Sequence, residues 1–554
     1  MTSNLSARFV VSAESRHPRL GVDYARDEDP PHYTHEYLNP SGYRIFVDAF
    51  PGVIIEPKGD QQASPGHATP MDQWQLLVPE GTIGFEFTLS GQRERTPVGP
   101  LRPVAMTART ELRTIRGSGT FREHGPAAAW QHTFEVPGPG SYQVTAAALS
   151  ERGPGRARST GIVVRDILIV SVGDSAASGE GNPDTPGRPA GFDRDLGWLD
   201  VGTLGAYTVA NGLYTKLSNL IKQKLTTLNR ALSFTMEMDP KPVWLEPRAH
   251  RSLLSGHALA ARMVERARPG TLVTFLPFGR SGASIRKGLI GAGRGSEDHF
   301  IDNLPEVDEV ARTVGKRRIE ALLIYVGIND IGITSVLTSL TEGDGIIWLP
   351  FAPFGDDGAH RAAALARAKN VIANEFPSSF KDLAEEIEDR LNVRHVFLCE
   401  YPSGLFDDQH ATPQAGCGLF ASDFDMDISS ADARTMQEIA DELNAGLKVA
   451  VDAINSNSAR RATSASAPRW FFVKSISNRT RGRGYCTDDW IERLYIQAEE
   501  SLGFQGDTEG TVHPNSRGHT IIAEEITKLL LEETIDDPFS TDHQMDNGRV
   551  FQGP

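Results

Sequence analysis

The chain has 554 residues, more than one hydrophobic core accommodates, so two domains with added tails are expected. With 39% hydrophobic and 23% charged residues its composition is that of a soluble globular protein. The 56 basic and 72 acidic residues leave a net charge of −16, which argues against a nucleic-acid partner and says nothing of the fold.

Residues 1 to 40 are polar, rich in charge and proline and without a sustained period, and are expected to be a flexible arm. The opening segment has no hydrophobic stretch long enough for a secretory signal, and no apolar run approaches a membrane span. A cytoplasmic location is therefore expected, with secretion by a non-classical route left open.

Over 41 to 165 the texture changes to short, often alternating segments separated by Gly and Pro turns, such as "YRIFVDA", "GFEFTLSG" and "STGIVVRD". Phe85, Phe87 and Leu89 alternate with Gly84, Glu86 and Thr88, as in a half-buried strand. The spacing predicts an immunoglobulin-like β-sandwich, whose last strand runs almost directly into the next region.

From 166 to 532 the period lengthens. The run "ILIVSV" (167 to 172) reads as a strand buried on both faces, and 271 to 277, 318 to 327, 393 to 402 and 469 to 475 are also strand-like. Between most of them lie helical segments, among them "LLSGHALAARMVERA", "AHRAAALARAKNVIANEF", "FKDLAEEIEDRL" and "ADARTMQEIADELNAGLKVAVDAI". Alternation of this kind predicts a parallel sheet with helices on both faces. The segment 213 to 232 presents one leucine-rich face, expected to pack on the core, with a lid or a membrane-surface helix as the other reading. "SRGHTIIAEEITKLLLEE" closes the domain, and 533 to 554 reads as a disordered acidic tail.

The three cysteines, Cys399, Cys417 and Cys486, form no C-x-x-C pair, so neither a zinc site nor a disulfide framework is indicated. One bridge between Cys417 and Cys486 stays open. The run "DFDMD" (423 to 427) lacks the Gly and Glu of a calcium loop and reads as solvated acid. No metal or cofactor is implied, and nothing bears on oligomeric state.

Ser175 follows the first strand in "VGDSAASGEGNPD", at the strand edge where open α/β sheets bind ligands. An acyl-transfer serine needs a base and donors aimed at the developing oxyanion. Gly282 in "FGRSGAS" offers an unobstructed N–H, Asn329 in "YVGINDIG" an amide, and His513 in "GTVHPNSRGH" a general base. Each is an ordinary turn residue when taken alone. Their order, each in a strand-end loop or at a final helix start, carries the reading.

In that order the chain resembles the SGNH hydrolases, the GDSL esterases and lipases, over about 166 to 532. Gly173-Asp174-Ser175 matches the first block, Gly282 the second, Gly327-Ile328-Asn329-Asp330 the third and His513 the last. The resemblance implies a flavodoxin-like three-layer α/β/α sandwich and hydrolysis of carboxylic esters, lipid acyl or acetyl. It also implies Ser175 as nucleophile, His513 as base and an oxyanion hole from Ser175 N–H, Gly282 N–H and the Asn329 amide. Asp174, His250, Arg251 and Asp330 are further candidates for the pocket, with a structural ion pair as the other reading of Arg251.

The family usually has Asp three residues before the histidine; here that position is Gly510. Asp507, Glu509 or a backbone carbonyl would then have to orient the imidazole. A second departure is Ala249, where the related branch often has Cys. If the chemistry were lost, the chain would be a binding protein in which the sandwich recognises a glycan or partner.

Overall fold

The computed structural model describes residues 6–10, 22–23, 32–33, 35–38, 43–51, 53–56, 73–93, 103–113, 116–118, 129–188, 238–268, 270–292, 304–340, 358–405, 430–460, 467–485, 493–496, 501, 503–506 and 509–533. The segment 213 to 232, the run 423 to 427, Cys417, Cys486, Asp507 and the tail beyond 533 lie outside these. The chain divides into two compact units, Met1–Ile167 with Glu265–Thr274, and Leu168–Val264 with Phe275–Pro554.

The first unit contains β1 (Ser6–Val10), β2 (Val22–Asp23), β3 (His32–Tyr33), β4 (Tyr43–Asp48), β5 (Val53–Glu56), β6 (Gln73–Leu76) and β7 (Thr82–Arg93). It continues through β8 (Pro103–Glu111), β9 (Arg116–Ser118), β10 (Gln131–Val136), β11 (Gly140–Ser150), β12 (Gly153–Pro154) and the start of β13 (Arg158–Gly173). β4 lies between β1 and β10, β6 between β5 and β9, and β7 between β8 and β11, all antiparallel. Ile45, Val47, Trp74, Phe87, Val144 and Val164, from several of these strands, share one buried cluster. Phe85, Phe87 and Leu89 are all buried within it, as their alternation predicts, each contributing roughly 1.5–3 kcal/mol.

Two expectations change here. Part of the arm is ordered: β1 pairs with β4 from Ser6↔Asp48 to Val10↔Arg44. Five residues suffice for such a pairing, and composition over forty averages them away. The second change is that "STGIVVRD" and "ILIVSVG" are one strand, β13, with no break between them. Arg165 N–H donates to Gly270 O at 2.8 Å, so the charged Arg-Asp step stays in extended pairing rather than turning.

In the second unit Ile169–Gly173 of β13 runs parallel to β15 (Ile319–Tyr325), which pairs with β16 (Val393–Cys399), and that with β17 (Arg469–Val473). β14 (Thr271–Pro277) pairs with β13 on its other side. Counted from β13, the order is therefore 2-1-3-4-5, which reverses direction between the first and third strands. Every residue of β15 is buried, Glu320 included, so both faces of the sheet are covered along it.

The helices between the strands include Gly256–Ala267, Glu306–Val314, Phe376–Arg390, Ser430–Arg460 and Ser516–Glu533. Gly256–Ala267 and Ser516–Glu533 cross closely: a Cβ on Gly256 would meet Ile522 Cγ2 at 2.5 Å. The two helices read around 360 to 391 are joined through one wide π-helical turn, Val371–Glu375, just before Pro377. Proline has no N–H to donate into the preceding turn, and the backbone widens there instead of breaking.

Candidate active site

β13 ends at Gly173, with φ 128°. A Cβ there would lie 1.8 Å from Tyr325 O, so only glycine lets the strand close onto β15. Asp174 N–H then donates to the same carbonyl at 2.8 Å, and the chain turns into the short helix Ser175–Ser178. Asp174 Oδ1 caps that turn by accepting from Ala176 N–H at 3.0 Å, and Oδ2 accepts from the Tyr401 hydroxyl. Ser175 is thereby fixed at the carboxyl edge of the sheet where the strand order reverses.

The next loop is tied to the first by Arg280 N–H, which donates to Gly173 O at 2.7 Å. Gly282 has φ 79° and nothing within 4 Å of where a Cβ would stand. Its N–H therefore lies on backbone that no other residue adopts without strain. Asn329 Nδ2 donates to Ala283 O at 2.9 Å, leaving the second N–H of that amide for another acceptor. Asp330 accepts from Ile285 N–H at 3.1 and 3.2 Å through its two oxygens. Asp330 thus ties down the Gly282 loop.

His513 sits in a turn in which Val512 has φ 62° and His513 N–H donates to Gly510 O at 3.2 Å. Its Nδ1–H donates to Thr511 O at 3.1 Å. A carbonyl only accepts, so the proton is on Nδ1 and Nε2 carries the lone pair. The orienting acceptor is therefore backbone. Glu509 is not at Nδ1: its carboxylate lies 3.7 Å from His250 Nδ1 instead. Burial lowers the pKa of His513, opposed by the Glu180 carboxylate and by the carbonyls of Thr511 and Gly510.

The loop that follows Ser175 and the His513 turn lie side by side. Asn182 Nδ2 donates to Pro514 O at 2.8 Å, and a Cβ on Gly510 would come within 2.6 Å of Gly181 Cα. Gly510 is needed because no side chain fits there. Asn515 accepts from the N–H groups of Arg517 and Gly518 at 3.0 Å each, starting the last helix directly after the turn.

Of the remaining candidates, Arg251 is 2% exposed and donates to the carbonyls of Phe278 and Gly279 and to Glu309, so it holds a loop and does not line a pocket. Asp174 is fully buried under Ser175, and burial raises its pKa to about 7 despite Tyr401 and the cap bonds. Half-buried His250 has Nδ1 2.7 Å from Glu180 Oε2 and stacks on Trp244 at 4.7 Å. Glu180, His250 and Glu509 bring three potential metal-ligating atoms within 4.8 Å of one another. His250 Nδ1 is within hydrogen-bond reach of both Glu180 oxygens, so these two side chains already partner each other.

Tyr401, Glu180 and the Thr511 carbonyl are absent from the sequence-derived set. Tyr401 stands two residues beyond β16, a strand-end position that could have marked it. Glu180 carries no spacing signal, and a carbonyl carries none at all.

No family model matches the chain, and no curated protein matches it. Among solved structures, an extracellular lipase from Streptomyces rimosus is 14% identical, covering 66% of this chain and 99% of its own, at a TM-score of 0.34. A phospholipase A1 from Streptomyces albidoflavus NA297 is 13% identical, covering 65% and 98%, also at 0.34. A family two carbohydrate esterase from Clostridium thermocellum is 11% identical, covering 96% and 99%, at 0.29.

Proposed function

We propose that the protein is a serine hydrolase of carboxylic esters, working through an acyl-enzyme on Ser175. The observation that carries this reading is the His513 imidazole, whose Nδ1–H is engaged by Thr511 O at 3.1 Å so that Nε2 is left as a base. The loop that bears it is tied to the loop that bears Ser175. The order of strands around Ser175 supports a flavodoxin-like three-layer domain, and the shared core of the first unit supports a β-sandwich before it.

In this mechanism Ser175 Oγ attacks the ester carbonyl while His513 Nε2 takes the hydroxyl proton. The oxyanion is met by the N–H groups of Ser175 and Gly282 and by the second N–H of Asn329. Collapse breaks the bond to the alcohol, which leaves with the proton from His513. Water, deprotonated by the same nitrogen, then attacks the acyl-enzyme, releases the acid and restores Ser175. The substrate class is an ester of an acyl lipid or of an acetylated sugar.

The test is labelling by a fluorophosphonate probe and turnover of p-nitrophenyl esters of increasing acyl length, for the wild type and Ser175→Ala. Labelling and turnover that vanish in the variant support a serine esterase, and the length series ranks its substrates. A folded wild type that neither labels nor turns over overturns the reading.

A further inference from the structure

Proton transfer from Ser175 creates an imidazolium in a partly buried turn, and such a cation needs a negative charge near it. At 510, three residues before His513, there is no room for one. A carboxylate stands in the adjoining loop instead. Glu180 is fully buried. Its N–H donates to Ser175 O at 3.1 Å, which makes it part of the nucleophile turn. Gln505 Nε2 donates to Oε1 at 3.0 Å, and His250 Nδ1 approaches Oε2 at 2.7 Å. The following residues, Gly181 and Asn182, contact Gly510 and Pro514 on either side of His513.

We infer that Glu180 is a positioning residue for the base, its buried carboxylate stabilising the imidazolium of His513 from the nucleophile's own loop, with His250 setting how much of that charge His513 feels. This rests on the proposed serine mechanism. The charges that act on His513 are those of Glu180 and His250 from these loops; His513 in turn acts on His519 of the last helix, and Glu509 lies 3.7 Å from His250 Nδ1. Glu180 favours the protonated imidazole, while a protonated His250, held between two carboxylates, disfavours it. Removing each charge therefore moves the base in opposite directions, a pattern that a purely structural role would not give.

The experiment is the rate of fluorophosphonate labelling against pH for the full chain, for Glu180→Gln and for His250→Asn, each checked for folding by circular dichroism. Asn suits the left-handed backbone of His250, φ 49°. Glu180→Gln is expected to lower the midpoint of the acidic limb by about one pH unit and the plateau about tenfold. His250→Asn is expected to raise the midpoint. A folded Glu180→Gln with an unmoved midpoint overturns the inference. Should that variant fail to fold, an unmoved or lowered midpoint in His250→Asn overturns it. Serine-independent labelling in the wild type overturns the mechanism itself, whereas Ser175-dependent labelling with unshifted profiles overturns only the role of Glu180.

Discussion

Gly510 and Gly181 face each other so closely that a Cβ on Gly510 would stand 2.6 Å from Gly181 Cα, 2.8 Å from Ser501 Oγ and 3.1 Å from Gln505 Oε1. The Gly181 backbone and the side chains of Ser501 and Gln505 fill the place beside the histidine turn. Installing a carboxylate there would push the nucleophile loop away and set a second anion near Glu180. Gly510→Asp is therefore expected to destabilise the fold by about 2 kcal/mol and to lower, not raise, kcat/KM. Thermal unfolding and ester turnover of the variant check both; a gain in turnover would refute the account.

Asn329 donates one amide N–H to Ala283 O, and the proposed mechanism gives its other N–H to the oxyanion. The second is specific to the transition state. Asn329→Ala should lower kcat about 10²- to 10³-fold with a much smaller change in KM. Steady-state kinetics on a short-chain p-nitrophenyl ester separate the two; a loss confined to KM would remove Asn329 from the oxyanion hole.

Glu306 is fully buried and accepts from Gly173 N–H at 2.7 Å, directly before the nucleophile turn. Burial raises its pKa from 4.5 to about 8, against the pull of Arg280 and that hydrogen bond. The folded chain thus keeps a proton that the unfolded chain releases between these values. The stability tied to it is fully present below pH 4.5 and is lost as pH rises through about 8. Glu306→Gln keeps an acceptor and removes the titration. Its Tm relative to wild type should climb by roughly 5 °C between pH 5 and 8.5, and a flat difference across that range would refute the assignment.

The strands on either side of β13 and beyond were the easiest part to read. Thr271–Pro277, Ile319–Tyr325, Val393–Cys399 and Arg469–Val473 are short apolar runs bounded by polar turns, and burial on both faces writes itself as hydrophobicity without alternation. The loop positions of Ser175, Gly282 and Asn329 were legible for a related reason, since each follows β13, β14 or β15, and His513 was placed by the helix start that follows it. What could not be read depends on distance in space. Arg251 and Asp330 are polar residues in the right loops, yet they are held by backbone groups of another loop and, for Arg251, by the Glu309 carboxylate as well. Glu180 and Gln505 are 325 positions apart and meet at 3.0 Å. The Thr511 carbonyl bears no residue identity, so any amino acid at 511 could supply it.

The first unit is discontinuous in the chain: Glu265–Thr274 belongs to it by contact, although Leu168–Val264 belongs to the second. A fragment ending at Ile167 would lose Gly270, the acceptor of Arg165 N–H at 2.8 Å, and the buried Leu272. A fragment beginning at Leu168 would carry that segment with its apolar side chains bare. No single scission, in the laboratory or by recombination of genes, separates the two units intact. They are inherited together.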